Sequence, residues 1–336
     1  MTINMKDISD FNLLNHNTFG IDAKCSRFLE YESLEEAQKI ARRLKEPYLL
    51  IGKGSNLLLT GDFKGLVVHS AVKGIERQGD SRIRCGSGET WDDVVAWTVN
   101  HGFYGAENLS LIPGEVGASA IQNIGAYGAE VKDLIVAVEA VEIGTGQVFS
   151  FTNEDCCYGY RDSRFKHDWK NKYLITHVVY QLTTNETKQS TTYGNIRNEL
   201  QRKGIEKPSA VQLREVVIAI RKEKLPDPKE LGNAGSFFMN PVVGREKFEQ
   251  LLTDYPLMPH YYIDAEHEKI PAGWMIEQCG WKGRSLGRAG VHDRQALVLV
   301  NRGGATGNEI VALCQAIQSD VYAKFGILIH PEVNIV

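Results

Sequence analysis

No apolar run in the 336 residues approaches the roughly 20 needed to cross a bilayer as a helix. The longest, such as Ala296–Val300, have the length of a strand, so no membrane partner is expected. A surplus of positive charge is missing as well: 38 Lys and Arg stand against 42 Asp and Glu, a net charge of −4. That balance argues against a nucleic-acid partner, which would need a strongly basic face. It leaves room for a small phosphorylated ligand, which takes only a few cations or a helix N-terminus. The six cysteines, Cys25, Cys85, Cys156, Cys157, Cys279 and Cys314, form no C-x-x-C pair and no Cys/His spacing suited to a metal. In a chain of this length they read as reduced thiols of a cytoplasmic protein. Met1–Asp10 holds two acids and no apolar core, so a secretory leader is not expected. Internal repeats and low-complexity tracts are lacking too.

What is present is an ordinary globular composition, 43% hydrophobic and 24% charged, enough for a core spread over two or three domains. Ser33-Leu-Glu-Glu36 is a capping box that opens a helix ending before Pro47. A strand, Tyr48–Ile51, runs into Gly52-Lys-Gly-Ser-Asn56, and another, Leu66–His69, follows in a βαβ-like arrangement. Thr90 is expected to cap a helix carrying Trp91, Val94, Val95 and Trp97 and stopped at Gly102. Gly105–Gly128 is studded with glycine, shows no clear period and is too long for an idle connector. Leu134–Ile143 and Val148–Phe151, joined by Gly144-Thr-Gly146, read as a hairpin, and Tyr173–Leu182 as a strand. Ser209-x-x-Gln212 opens a helix through Lys222, and the two prolines of Leu225-Pro-Asp-Pro228 stop it. Beyond that boundary lie apolar segments at Ser236–Phe238 and Ala296–Val300, a helix around Asn308–Phe325 and a last strand over Ile327–Val336. The expected fold is α+β with mixed sheets in three parts, 1–72, 73–224 and 225–336, the last strand being free to return to the earlier parts.

Two segments bear on chemistry. Gly52-Lys-Gly-Ser-Asn56 follows a strand, where backbone N–H groups can cradle a phosphate. It has neither the Gly-x4-Gly-Lys-Ser/Thr spacing of a Walker loop nor the third glycine of a dinucleotide fingerprint, and a tight turn explains it equally well. In the second segment, Asn108–Gly128, the small residues Gly114, Gly117, Ala118, Ser119 and Ala120 would let backbone approach a flat or anionic ligand. A packed loop that uses glycine for turns alone is the plainer alternative.

Together with later motifs, these segments resemble the UDP-N-acetylenolpyruvoylglucosamine reductases. Gly52-Lys-Gly-Ser-Asn56 and Ile112-Pro-Gly-Glu-Val-Gly-Ala-Ser-Ala-Ile-Gln-Asn-Ile-Gly-Ala-Tyr-Gly128 look like that family's two FAD-binding segments. Gly159-Tyr-Arg-Asp-Ser163, Lys224-Leu-Pro-Asp-Pro228, Gly232-Asn-Ala-Gly-Ser-Phe-Phe-Met-Asn-Pro241, Gln295-Ala-Leu-Val-Leu-Val-Asn301 and Pro331-Glu-Val333 follow in family order along nearly the whole chain. The resemblance implies a vanillyl-alcohol-oxidase-type FAD-binding fold with a C-terminal α+β substrate domain. It implies NADPH-dependent reduction of UDP-N-acetylglucosamine enolpyruvate to UDP-N-acetylmuramate, in peptidoglycan precursor synthesis. For FAD it implies contacts from Gly52, Lys53, Gly54, Ser55, Asn56, Leu57, Ile112, Pro113, Gly114, Gly117, Ala118, Ser119, Ile121, Asn123, Gly125, Tyr127 and Arg221. Residues 52–58 contain neither His nor Cys, so the implied FAD is non-covalent.

Arg161 lies in what resembles the extra loop of the family's type I subgroup, and the resemblance gives it the task of steadying charge on the enolpyruvyl carboxylate. Hydride addition to C3 leaves negative charge over C2 and the carboxyl group, so a cation is needed there. Taken alone, Arg161 beside Asp162 reads as a structural ion pair. Ser236 is implied to be the general acid that protonates C2 and Glu332 to polarise the enolpyruvyl group; alone they read as a turn residue and a solvated strand-edge acid. Tyr193, Lys224, Asn240, Tyr261 and Gln295 match contacts to the UDP-sugar. The chain departs from the family at Asn334, where an arginine is commoner, and at His330, where an acid is. An FAD-dependent sugar or alcohol oxidase of the same fold and a non-catalytic UDP-sugar-binding module are the other readings. No metal is expected, and the protein is expected to act as a monomer.

Overall fold

In the computed structural model, residues 6–45, 47–186 and 190–336 are described; the first five residues of the segment read as lacking a leader fall outside them. Compactness divides the chain into two units. The first holds Met1–Phe11, Cys25–Lys53 and Lys64–Glu223, the second Asn12–Lys24, Gly54–Phe63 and Lys224–Val336.

The first unit is built on two sheets. One runs in the order Lys6–Asn12, Lys24–Tyr31, Phe63–Ser70, Tyr48–Ile51. Its last pair is parallel, with Tyr48 opposite Leu66 and Ile51 opposite His69, joined through residues 52–62 and the short strand Leu57–Leu58. α1, Leu34–Arg43, leads from Lys24–Tyr31 into Tyr48–Ile51 and is capped as expected, Ser33 Oγ accepting from Glu36 N at 3.2 Å, while the return bond of the box falls one residue early, Glu36 Oε2 accepting from Glu32 N at 2.7 Å. The other sheet runs Val148–Thr152, Ile135–Glu142, Tyr173–Gln181, Arg82–Gly86, Ile75–Gln78, with every neighbouring pair antiparallel. Against it α2, Trp91–Asn100, buries Trp91, Val94 and Val95 among Phe103, Val138, Val178 and Tyr180. Side chains of this kind stabilise the fold by about 1.5–3 kcal/mol each.

The helix at α2 was expected, but Thr90 does not cap it. The Thr90 hydroxyl accepts from Lys53 Nζ at 3.3 Å, and the Trp91 N–H donates to Gly114 O at 3.1 Å instead. The glycine-studded stretch is also more ordered than its lack of period suggests. It contains α3, Val116–Gln122, and a short hairpin of Gly125–Ala126 with Ala129–Glu130. Two further helices, α4 (Gly194–Arg202) and α5 (Ala210–Lys224), share a small core of Ile196, Leu200, Leu213, Val216 and Val217. The capping box of α5 forms as expected, Ser209 Oγ accepting from Gln212 N at 3.2 Å.

In the second unit a four-stranded sheet runs Asn233–Ser236, Val298–Asn301, Ala289–Val291, Ser285–Leu286, and a three-stranded one runs Val242–Gly244, His267–Lys269, Tyr261–Tyr262. The helices are α6 (Arg245–Asp254), α7 (Ala272–Gln278) and α8 (Gly307–Phe325). α8 opens with a Thr306/Glu309 capping box, closes on Gly326 in the left-handed region, and buries Ile310, Leu313, Ile317, Val321 and Phe325. The last strand is shorter than the expected Ile327–Val336: Asn334–Ile335 pairs parallel to Leu57–Leu58, and before it Pro331 makes an isolated antiparallel bridge to Phe238. Pro331 has no N–H to give a ladder, and Ile327, Ile329 and Val333 are buried without one. Among the described residues no helix is long and apolar enough to cross a membrane.

Candidate active site

In the first unit the two glycine segments meet. Strand Tyr48–Ile51 delivers Gly52 so close to the start of α3 that a Cβ there would sit 3.2 Å from the Ala118 Cβ and 3.1 Å from Glu115 Oε2. Ile112, Pro113 and Gly114 form the turn that enters α3, which carries Gly117, Ala118, Ser119 and Ile121. The buried Ser119 hydroxyl is used internally, donating to Val116 O at 2.7 Å. Asn123 closes the helix with φ +45°, fully buried, its Nδ2 donating to Gly159 O at 2.6 Å and to Glu130 Oε2 at 3.1 Å. An asparagine takes the left-handed conformation more readily than most residues.

Around this turn the structure gathers several residues expected at the site. The Arg161 guanidinium donates to Asn123 O at 3.2 Å and to Gly125 O, which ties the segment after Gly159 to the second glycine segment. Its backbone also sits at positive φ, +54°. Its neighbour Asp162 faces His167 at 2.8 Å. The segment is anchored further on, where Phe165 and Trp169 pack on Phe151 at ring separations of 6.1 and 4.1 Å. Arg221, from α5, donates to Leu111 O at 3.3 Å and bonds the Tyr127 hydroxyl. Burial pulls the Arg221 guanidinium below its ordinary value, Tyr127 and Asp92 oppose that, and the like charge of Arg161 adds to it. Tyr127 meets Tyr193 edge-on at 5.7 Å. Arg161, Arg221, Tyr127 and Tyr193 therefore line one stretch of the second glycine segment.

In the second unit, Gly54 turns the first glycine loop at φ +66°, and a Cβ there would overlap the carbonyl of His16. Leu57 then pairs with Asn334 in the parallel ladder. Asn56 is bound to the same strand twice over: its Nδ2 donates to Glu332 O at 3.2 Å and its carbonyl accepts from Asn334 N at 3.1 Å. Asn334 adds a side-chain bond to Asn56 O at 3.1 Å. Ser236 and Glu332 come together on neighbouring segments, since Glu332 N donates to Phe237 O at 2.8 Å. Ser236 is exposed at a register shift in its strand, next to Gly235, with φ +70°. Asn233 Nδ2 donates to Pro226 O at 3.3 Å, which holds the turn after Lys224 against this strand. Gln295 braces its own turn, with Leu297 N donating to its Oε1 at 3.3 Å, and Leu297 O in turn accepts from Phe237 N at 2.8 Å. Asn240 Oδ1 accepts from Ala272 N at 2.9 Å, the first residue of α7. Tyr261 is exposed, 5.6 Å from Lys269 Nζ over its ring.

A buried cluster that the sequence reading missed lies behind Gly52. His69 Nδ1 is 2.7 Å from Glu30 Oε2, and its Nε2 is 3.1 Å from Glu115 Oε2. Burial works against charge on the imidazole, but Glu115 and Glu30 prevail and raise it above its ordinary value. The signal available was Glu115 itself, an acid between two glycines of a segment read as a cradle for an anion.

A relative from Bacteroides fragilis, a UDP-N-acetylenolpyruvoylglucosamine reductase, is 54% identical over 336 residues, covering 97% of this chain and 99% of its own. The chain belongs to this reductase family. The family's counterpart from Flavobacterium johnsoniae is 47% identical over 333 residues, covering 98% and 99%. The model of the reductase C-terminal domain matches residues 227–336, and that of an FAD binding domain matches 29–152. The crystal structure of the reductase from Thermus caldophilus superposes with a TM-score of 0.69 at 20% identity, covering 99% of this chain and 98% of that one, which shows the shared fold.

Proposed function

We propose that this chain reduces UDP-N-acetylglucosamine enolpyruvate to UDP-N-acetylmuramate in the cytoplasm, with non-covalent FAD and with NADPH as electron source. One observation carries the reading: a relative named for this reductase activity is 54% identical across 97% of the chain. The residues present suit FAD. Among the described residues the N–H groups of Lys53 and Gly54 find no acceptor, which leaves donors in the first loop for a diphosphate. The second segment adds the aromatic face of Tyr127 and the cation of Arg221. Held there, FAD would supply hydride-transfer chemistry between NADPH and C3 of the enolpyruvyl ether.

The chain's own part is orientation, charge and one proton. Arg161, braced by two carbonyls, presents a fixed fork that complements a carboxylate better than a mobile ammonium would. Ser236 donates its hydroxyl proton to C2, and its exposure leaves the hydroxyl open to a substrate. Glu332 polarises the enolpyruvyl group from the segment bonded to Phe237. Tyr193, Lys224, Asn240, Tyr261 and Gln295 hold the UDP-sugar. Because Asn240 Oδ1 is committed to α7, this residue acts through its amide N–H2 group.

Ser236→Ala tests the assignment. Flavin binding and reduction by NADPH should stay near the parent level in stopped-flow absorbance. Reoxidation by the enolpyruvyl substrate should slow by about 10²–10⁴-fold, the worth of a positioned general acid. Ser236→Cys should recover part of that rate. Equal slowing of both half-reactions would mean a damaged flavin site, and unchanged reoxidation would remove Ser236 from the chemistry.

A further inference from the structure

Glu115 is an anomaly in the site just described. A loop that accepts an anionic diphosphate gains from N–H groups and cations, yet it places a carboxylate 3.1 Å from where a Gly52 Cβ would be. Glu115 immediately precedes α3 but makes no side-chain cap to it. Its carboxylate turns to His69 instead, at 3.1 and 3.2 Å from Nε2. His69 and Glu115 are 8% and 7% exposed, so water does little to screen either charge.

We propose that His69 is a buried positioning cation of the flavin site: as an imidazolium it bridges Glu30 and Glu115, holds the Glu115 carboxylate against Gly52, and cancels its repulsion of the FAD diphosphate. The inference rests on the reading of this chain as a flavin-dependent reductase.

The hydrogen-bond inventory of imidazole makes the arrangement protonation-dependent. An imidazolium donates from both nitrogens, and here each nitrogen faces a carboxylate, at 2.7 Å on Nδ1 and 3.1 Å on Nε2. A neutral imidazole has one N–H, so one carboxylate must then face a lone pair. Every charged or titratable neighbour on the packed elements acts on this choice. Glu30, on strand Lys24–Tyr31, is also held by Lys6 Nζ from strand Lys6–Asn12 at 3.4 Å, so it has a second cation. For Glu115 no other cation is recorded within ion-pair distance among the described residues, so it loses more when the proton leaves. The Phe28 ring stacks on His69 at 6.3 Å and brings no charge. Buried Tyr31, its hydroxyl pushed up to about 12 mainly by burial and further by Glu115, stays neutral. The sign follows: the favourable state exists at lower pH and is lost as pH rises through the elevated His69 value.

The test uses the FAD-loaded full chain. Release of flavin after dilution is read as recovered fluorescence from pH 6 to 9.5, in the parent, Glu115→Gln and His69→Gln. In the parent, release should speed up by about tenfold across that range, the scale of one charge-assisted hydrogen bond lost. Glu115→Gln removes the charge that needs cancelling, so its release should change by less than about twofold over the same range. His69→Gln should release flavin at every pH as the parent does at pH 9.5. A flat parent profile, or a Glu115→Gln profile as steep as the parent's, overturns the inference. If His69→Gln fails to fold, those two profiles still decide. FAD that binds tightly with a flat profile sinks this inference and leaves the reductase reading standing; a chain that never loads FAD sinks both.

Discussion

Gly54→Ala is expected to unseat the first glycine loop, and the structure sets the scale. At φ +66° an alanine pays the left-handed penalty of about 1–2 kcal/mol. Its Cβ would also overlap the His16 carbonyl oxygen and come within 2.7 Å of the Asn17 Cα. Both are backbone atoms and cannot rotate aside. Relieving the overlap must shift a turn in which the Thr18 N–H and hydroxyl donate to Gly54 O at 3.2 and 3.3 Å. Each bond is worth about 0.5–1.5 kcal/mol, so the total is roughly 2–5 kcal/mol. At about 2–4 °C per kcal/mol that is a fall in Tm of about 4–20 °C, read by a thermal melt, with weaker flavin retention beside it. Two companions isolate the cause. Gly54→Asn eases the dihedral but not the overlap, so it should be nearly as damaging as alanine. Gly61→Ala meets nothing within 4 Å and should be silent. If Gly54→Ala melts within about 2 °C of the parent, or if Gly54→Asn restores full stability, the overlap argument is wrong.

Three further outcomes follow from the site. Arg161→Lys keeps the charge but loses the fork across the Asn123 and Gly125 carbonyls, so kcat should fall at least about tenfold with FAD content unchanged; parental turnover would return Arg161 to a structural role. Acid precipitation of the flavoprotein should leave all yellow colour in the supernatant, since residues 52–58 offer no His or Cys tether; colour in the pellet would contradict this. Arg288 and the Thr306 cap depress the Glu309 carboxyl to about 2, so its contribution to α8 is full above the ordinary Glu value and is lost as pH falls through about 2. Glu309→Gln should therefore lower stability at neutral pH and flatten the acid limb, so that its profile converges on the parent's as pH falls through about 2 in pH-dependent thermal melts; parallel profiles would contradict this.

Much of the fold was legible where a signal is local. The Ser33 cap, the Ser209 box, the hairpin about Gly144-Thr-Gly146 and the proline stop after Lys224 each depend on residues a few positions apart. The signals failed where the deciding partner is distant. Thr90 stands at the N-cap, but its hydroxyl faces Lys53 Nζ, 37 residues earlier, and makes no cap bond. α3 was invisible to periodicity because Gly117, Ala118, Ser119 and Ala120 carry too little side chain to show a face. Of the site, the motifs located both glycine segments and placed Ser236 and Glu332 on segments that proved to be bonded neighbours. The Glu30–His69–Glu115 cluster stayed hidden, because its members lie 39 and 46 residues apart and only packing unites them.

The ladder between Leu57–Leu58 and Asn334–Ile335 also fixes when the flavin loop is finished. Thr60 donates to the carbonyl of Val336, 276 residues away, and Asn334 reaches Asn56 across 278. At a synthesis rate of about 5–20 residues per second, the loop waits roughly 15–55 s on the ribosome for its partner strand. Throughout that interval its glycines exist, but the strand that bonds Asn56 does not. The loop is thus completed late, by a strand far from it in sequence rather than by the segment that carries the glycines.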